Sequence, residues 1–214
     1  MTTGLTGLLV DYGGVLTTSV TRSFRAFCDD VGLPPDLVRQ TFVEAYHTPA
    51  GEGPVHLVET GKLSGEEFAV GLAEALSRQA GIPVEPGGLL ERLFARVQLE
   101  ERMLGAVLQA RQAGVRTGLL SNSWGRDGYP RARFGELFDA VVISGEVGVR
   151  KPDPAIYRLA ADRLGLEPTQ CVFVDDLAAN VKAAEAVGMT ALVHRRPEET
   201  IPHLADLLGV EIAA

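Results

Sequence analysis

Cysteine is scarce in this 214-residue chain: Cys28 and Cys171 are the only two, so no disulfide framework holds it together. Two distant thiols suit a reducing compartment, and a cytoplasmic location is expected. Cys171 opens an apolar run and reads as core. Basic charge is also short. Twenty Lys and Arg stand against 28 Asp and Glu, a net charge of −8, which leaves no cationic stripe for a nucleic acid. The densest basic cluster, Arg126, Arg131 and Arg133, reads as solvated surface. No window approaches the ~20 apolar residues of a membrane span. The opening MTTGLTGLLVD has no basic segment running into a long apolar stretch, so no secretory signal is expected. What is present is 46% hydrophobic residues, enough for a substantial core.

Three apolar runs end on polar residues. LTGLLVD stops at Asp11, VRTGLLSNS at Ser121 and Asn122, and CVFVDD at Asp175 and Asp176. Each is short with little alternation, as expected of parallel strands buried on both faces. AVVISG (140–145) and TALVH (190–194) are further strand candidates. Helical patterns lie between them: LEERMLGAVLQARQAG, PAIYRLAADRLG and LAANVKAAEAVG, each closing on a glycine. Strands alternating with helices of this length predict an α/β fold, a Rossmann-like parallel sheet with right-handed crossovers.

Residues 18–98 break that alternation. SVTRSFRAFCDDVG, PPDLVRQTFVEAYH, SGEEFAVGLAEALSRQAG and PGGLLERLFARVQ all read as helices, and no strand is expected among them. The pattern predicts an inserted α-helical domain over 18–98, with 1–17 and 99–214 forming the α/β core.

Ligands of an open parallel sheet bind beyond the carboxyl ends of its strands. Asp11, Ser121 and the Asp175–Asp176 pair all stand at that edge. Lys151 lies in GVRKPDP, where flanking prolines stiffen the backbone. An acid, a hydroxyl, an ammonium and two further acids suit a phosphoryl group handled with Mg²⁺, which takes oxygen ligands. An Asp so placed can attack phosphorus and divide one displacement into two easier ones.

DYGGVLT, LLSNS, GVRKPDP and VFVDDLAAN, in that order, resemble the motifs of the haloacid dehalogenase superfamily, in the subgroup with a helical cap after the first motif. The resemblance implies that Asp11 is the nucleophile and a metal ligand. Ser121, Lys151, Gly14 and Asn122 would then bind substrate, with Ser121 and Lys151 also serving catalysis. Asp175, Asp176 and the Gly13 carbonyl would join Asp11 around Mg²⁺, and Asn180 would position its neighbours. The implied activity is Mg²⁺-dependent hydrolysis of a small phosphorylated metabolite.

Family phosphatases usually carry a second acid where this chain has Gly13. That acid protonates the leaving group and later activates water, and its absence costs about 10²–10⁴-fold. A cap-bearing subgroup resembling this chain also has glycine there and includes a sugar-1-phosphate phosphatase. Better leaving groups suffer least from the missing acid. Two other readings stay open. A protein that binds phosphate without turnover fits Gly13. A 2-haloacid dehalogenase would read D-x-Y-G-T, but Gly13 and Val15 occupy the Tyr and Thr places. Candidate specificity residues are Thr17, Thr18, Arg22, His47, Thr48 and Trp124. His47 reads as a helix-terminal histidine, while His56, His194 and His203 show no metal-ligand spacing. The sequence does not specify an oligomeric state.

Overall fold

The computed structural model describes residues 4–48, 51–125 and 128–213, so Arg126 lies outside the described residues. Its chain begins with β1 (Gly7–Val10), a four-residue strand with every position buried. Five helices follow: α1 (Val20–Val31), α2 (Pro35–Tyr46), α3 (Pro54–Glu59), α4 (Gly65–Ala80) and α5 (Leu89–Phe94). A two-residue hairpin, β2 (His47–Thr48) and β3 (Gly51–Glu52), interrupts them. The alternating part then runs α6 (Glu101–Gln112), β4 (Arg116–Ser121), α7 (Phe134–Leu137), β5 (Ala140–Ile143), α8 (Ser144–Val147), α9 (Pro154–Leu164), β6 (Cys171–Asp175), α10 (Ala178–Ala186), β7 (Thr190–Val193) and α11 (Pro197–Leu208).

The main sheet has the order β5-β4-β1-β6-β7, and every pairing in it is parallel. β1 is the middle strand. From it the chain builds outward through β4 and β5, then returns to β1's other side with β6 and β7. This reversal opens a crevice at the carboxyl edge, beside the end of β1.

Alternation along the strands feeds two separate cores. Leu8, Val10, Leu119, Val172 and Val174 pack with Met103, Val107, Ile201 and Leu204 of α6 and α11. Leu9, Leu120 and Phe173 pack on the opposite face with Ile156, Tyr157, Ala160 and Ala184 of α9 and α10. A third cluster, including Phe27, Val38, Val58, Phe68, Leu72 and Leu93, is built mainly from α1–α5, with Trp124 packed against it. The two chain passages joining this helical block to the sheet run side by side. The Thr18 N–H donates to the Gln98 carbonyl at 2.8 Å, and the Glu100 N–H to that of Leu16 at 2.9 Å.

The hairpin corrects the expectation that residues 18–98 contain no strand. It also corrects the reading of His47, which opens β2 rather than closing a helix. Thr48 precedes Pro49, and the ring of a proline pushes the preceding residue out of helical conformation. The side chains of His47 and Thr48 lie outside the described residues.

His194, just past β7, is buried, and its Nδ1 lies 2.8 Å from the Thr200 hydroxyl. Burial holds its pKa below the usual histidine value, against the pull of Glu100, Glu198 and Glu199. The folded state therefore disfavours the imidazolium, and the imidazole's contribution is lost as pH falls below the unfolded value of about 6.5. Denaturant midpoints of wild type and His194→Asn should be furthest apart at pH 8 and should converge below pH 6.

Candidate active site

Parallel register brings Val10 level with Val174, so Asp11 and Asp175 follow side by side at the ends of β1 and β6. Two adjacent carboxylates repel. Lys151, in the loop before α9, lies between them, with its Nζ 2.7 Å from Asp11 Oδ1 and 2.7 Å from Asp175 Oδ2. Its side chain is 1% exposed. Burial pulls the ammonium pKa down, but Asp11 and Asp175 outweigh it and keep Lys151 charged. Burial pushes Asp11 the other way, up to about 7, with Asp175 and Asp176 adding to the rise and Lys151 opposing it.

Asp175 is held from all sides. Besides Lys151 it accepts bonds from the Leu177 N–H at 2.8 Å and from Asn180 Nδ2 at 3.0 Å to each oxygen. The Asn180 carbonyl in turn accepts from the buried Tyr157 hydroxyl at 3.0 Å. Asp176 differs. With Asp11 it borders a cavity of about 430 Å³, and burial, reinforced by Asp175, raises its pKa. Oxygens of Asp11, Asp175 and Asp176 lie within 4.8 Å of one another, so these carboxylates could hold a divalent cation. The saturated bonding of Asp175 leaves Asp11 and Asp176 the better placed to ligate.

Ser121 ends β4 at the same cavity, with its Oγ 3.0 Å from the Tyr129 hydroxyl. Asn122, expected to contact substrate, spends its carboxamide on Lys151. It accepts from the Lys151 N–H at 2.9 Å and donates to the Lys151 carbonyl at 3.1 Å. It thereby clamps the backbone that carries the ammonium. Thr17 likewise turns inward: its Oγ1 accepts from the Gly14 N–H at 3.2 Å and braces the first loop. Thr18 accepts from the Gln98 N–H at 3.1 Å, a contact between the joining passages. Arg131 and Arg133 pair with Glu146 and Glu101 on the surface.

The two glycines of the first loop are not equivalent. Gly14 has φ +78°, and a Cβ there would lie 2.4 Å from Asp176 Oδ2. Only glycine permits this turn and this approach. Gly13 has φ −73° and ψ 120°, and a Cβ would meet only Val20 Cγ2 at 3.6 Å. Its backbone accommodates a side chain.

Several residues of the cavity wall had no role assigned from the sequence. Tyr12 and Tyr129 pack with ring centroids 4.9 Å apart. Trp124 reaches from the loop after β4 into the helical block, 5.6 Å from Phe94 and 6.0 Å from Phe42. Glu59 of α3 is buried and forms an ion pair with Arg150, and it accepts from the Tyr46 hydroxyl at 3.4 Å. Arg150 sits beside Lys151 in a recognisable motif, but its partner lies 91 residues away. Only Trp124 among these stood out in the sequence.

The model of the haloacid dehalogenase-like hydrolases matches residues 5–188, and the chain belongs to that family. Over 97% of its length it is 27% identical to pig "Bifunctional epoxide hydrolase 2", of which it spans 40%. It is 33% identical to the "Phosphoserine phosphatase" of Thermus thermophilus over 136 residues, 59% of this chain and 55% of that protein. Its fold matches that of a HAD family enzyme from Bacteroides thetaiotaomicron solved with magnesium and inorganic phosphate. The TM-score is 0.69 at 23% identity, with 94% of this chain and 98% of that one covered. No helix among the described residues is long and apolar enough to cross a membrane.

Three substitutions test this architecture. Lys151→Met leaves two buried carboxylates facing each other and should lower metal-free stability by about 3–5 kcal/mol, read from denaturant midpoints. Gly14→Ala should cost at least the ~1–2 kcal/mol of a left-handed non-glycine residue and weaken calorimetric Mg²⁺ binding by displacing Asp176. Gly13→Ala should be neutral or stabilising by up to about 1 kcal/mol.

Proposed function

We propose that this hydrolase is a Mg²⁺-dependent phosphatase of small phosphorylated metabolites, with Asp11 as nucleophile. The observation that carries the reading is the convergence of Asp11, Ser121, Lys151 and Asp176 on one cavity at the carboxyl edge of the sheet. The Thermus relative and the magnesium-and-phosphate complex of the fold neighbour support it. Residues 18–98 would act as a cap over this edge, consistent with the pocket-facing Glu59 and Phe94.

The carboxylate cluster fits Mg²⁺, with Asp11, Asp176 and the Gly13 carbonyl as ligands and Asp175 contributing as a further ligand or through water. Bound there, Mg²⁺ would offset the charge of the transferring phosphoryl group. Asp11 attacks phosphorus, the ester oxygen leaves with its electron pair, and an aspartyl-phosphate forms. Water then breaks the acyl phosphate, releasing phosphate and restoring Asp11. Lys151 and the Ser121 hydroxyl stabilise the equatorial oxygens. Lys151 also favours the anionic form of Asp11 against the effect of burial, and Asn122 and Asn180 hold Lys151 and Asp175 in place.

Gly13 supplies no proton, so the departing oxygen leaves unassisted by that position. This also favours a second reading, in which the chain binds phosphate without turning over an ester. A dehalogenase draws less support, since carbon–halogen displacement has no use for the Asp175–Asp176 pair beside Asp11.

Phosphate release should be measured over esters graded by leaving-group pKa, with and without Mg²⁺. We expect Mg²⁺-dependent release that Asp11→Asn abolishes and that falls steeply as the leaving group becomes more basic. Gly13→Asp should restore at least about tenfold on alkyl esters, part of the 10²–10⁴ attributed to a general acid. Phosphate binding without release from any ester would establish the second reading.

A further inference from the structure

We infer that the leaving-group half of the site is built for an aromatic alcohol, so that the substrates are aryl phosphates rather than phosphates of polyols. The inference rests on the phosphatase reading, and two independent observations lead to it.

The first is the cavity wall. Tyr12, Tyr129, Trp124, Phe94, Val97 and Leu177 surround the space next to Asp11 and Ser121. Several of the polar side chains that share this wall are already engaged, while the Gln98 carboxamide and the Asp176 carboxylate also border the space. Glu59 takes Arg150 and the Tyr46 hydroxyl, the Asn122 carboxamide takes both backbone groups of Lys151, and Thr17 takes the Gly14 N–H. A sugar would have to give up several hydrogen bonds to water for a wall that is mostly rings and aliphatic carbon. A flat ring loses little by the same transfer and gains offset or edge-to-face contacts. The cavity also has the room: a void of about 150 Å³ holds benzene, and this one measures about 430 Å³.

The second observation is Gly13. Its backbone would tolerate a side chain, with φ −73° and a nearest Cβ contact of 3.6 Å. Packing therefore does not force the absence of an acid there. An aryl oxide, the conjugate base of a phenol with pKa about 10, needs a proton on departure far less than an alkoxide does. The aromatic wall and the missing acid point to one chemistry.

The test separates recognition from reactivity by using phosphonates, which bind without being hydrolysed. Phenylphosphonate and 2,3-dihydroxypropylphosphonate are titrated into the Mg²⁺-loaded full chain by calorimetry. In parallel, the fluorescence of Trp124, the only tryptophan, is followed. We expect phenylphosphonate to bind at least about tenfold more tightly, a gap of about 1.4 kcal/mol, and to change Trp124 emission. Trp124→Leu risks unfolding the helical block, so Leu177→Gln carries the mutational arm. Leu177 is 57% exposed, and its replacement should shrink the gap to under about threefold. Steady-state kinetics should give a higher kcat/KM for phenyl phosphate than for glucose 1-phosphate, with the lower KM for the aryl ester. Equal affinity of the two phosphonates, or a lower KM for the sugar phosphate, overturns the inference while leaving the phosphatase reading intact. A preserved phenyl preference with no release from any ester overturns the phosphatase reading and retains the aromatic site.

Discussion

The Lys151 ammonium, placed between Asp11 and Asp175, is the contact on which the rest of the site depends. Parallel pairing sets two acids side by side at adjacent strand ends, an arrangement that repels by itself. A single buried cation 2.7 Å from each turns that repulsion into cohesion. A buried charge is tolerated only when paired and hydrogen-bonded, and both conditions are met here through neighbours on other elements. Asn122 fixes the Lys151 backbone from the end of β4, while Asn180 and the Leu177 N–H fix Asp175 from the start of α10. Three loops are thus tied to one ammonium.

The bonding separates the carboxylates by environment. Asp175 has both oxygens occupied and acts as the rigid anchor. Asp11 and Asp176 face the cavity. Gly14 allows the first loop to pass against Asp176, at a distance no Cβ could occupy. The neighbouring Gly13 is free of that constraint, which makes it chemically the more informative of the two: a Cβ would fit, and no side chain is present.

The helical block contributes on a different principle. It has its own hydrophobic cluster and meets the core through a few strong contacts. Glu59 pairs with Arg150, its carbonyl accepts from Ser144, and Trp124 of the core inserts among Phe42, Phe68 and Phe94. The two joining passages pair backbone to backbone at Thr18 and Gln98. Of these residues Glu59, Phe94, Trp124 and Arg150 also line the cavity.

Much of the candidate site was legible in the chain. Short apolar runs ending in Asp11, Ser121 and Asp175–Asp176 announce parallel strands whose carboxyl ends converge, because a strand buried on both faces can carry polar groups only where it leaves the sheet. Gly14 and Lys151 were legible as motif residues. The partners of those residues were not. Asn122 clamps a backbone 29 residues away, and Glu59 finds Arg150 across 91 residues. The hairpin inside the helical block and the helix α3 are too short to leave a periodic signal. The sequence by itself determined the fold class, the acids and hydroxyl at the sheet edge and the missing proton donor, since each is a local property of a strand end or a loop. Only the tertiary structure decided which carboxylate is saturated, what Asn122 and Thr17 hold, and that rings wall the cavity, because those depend on distances between segments that the order of residues does not encode.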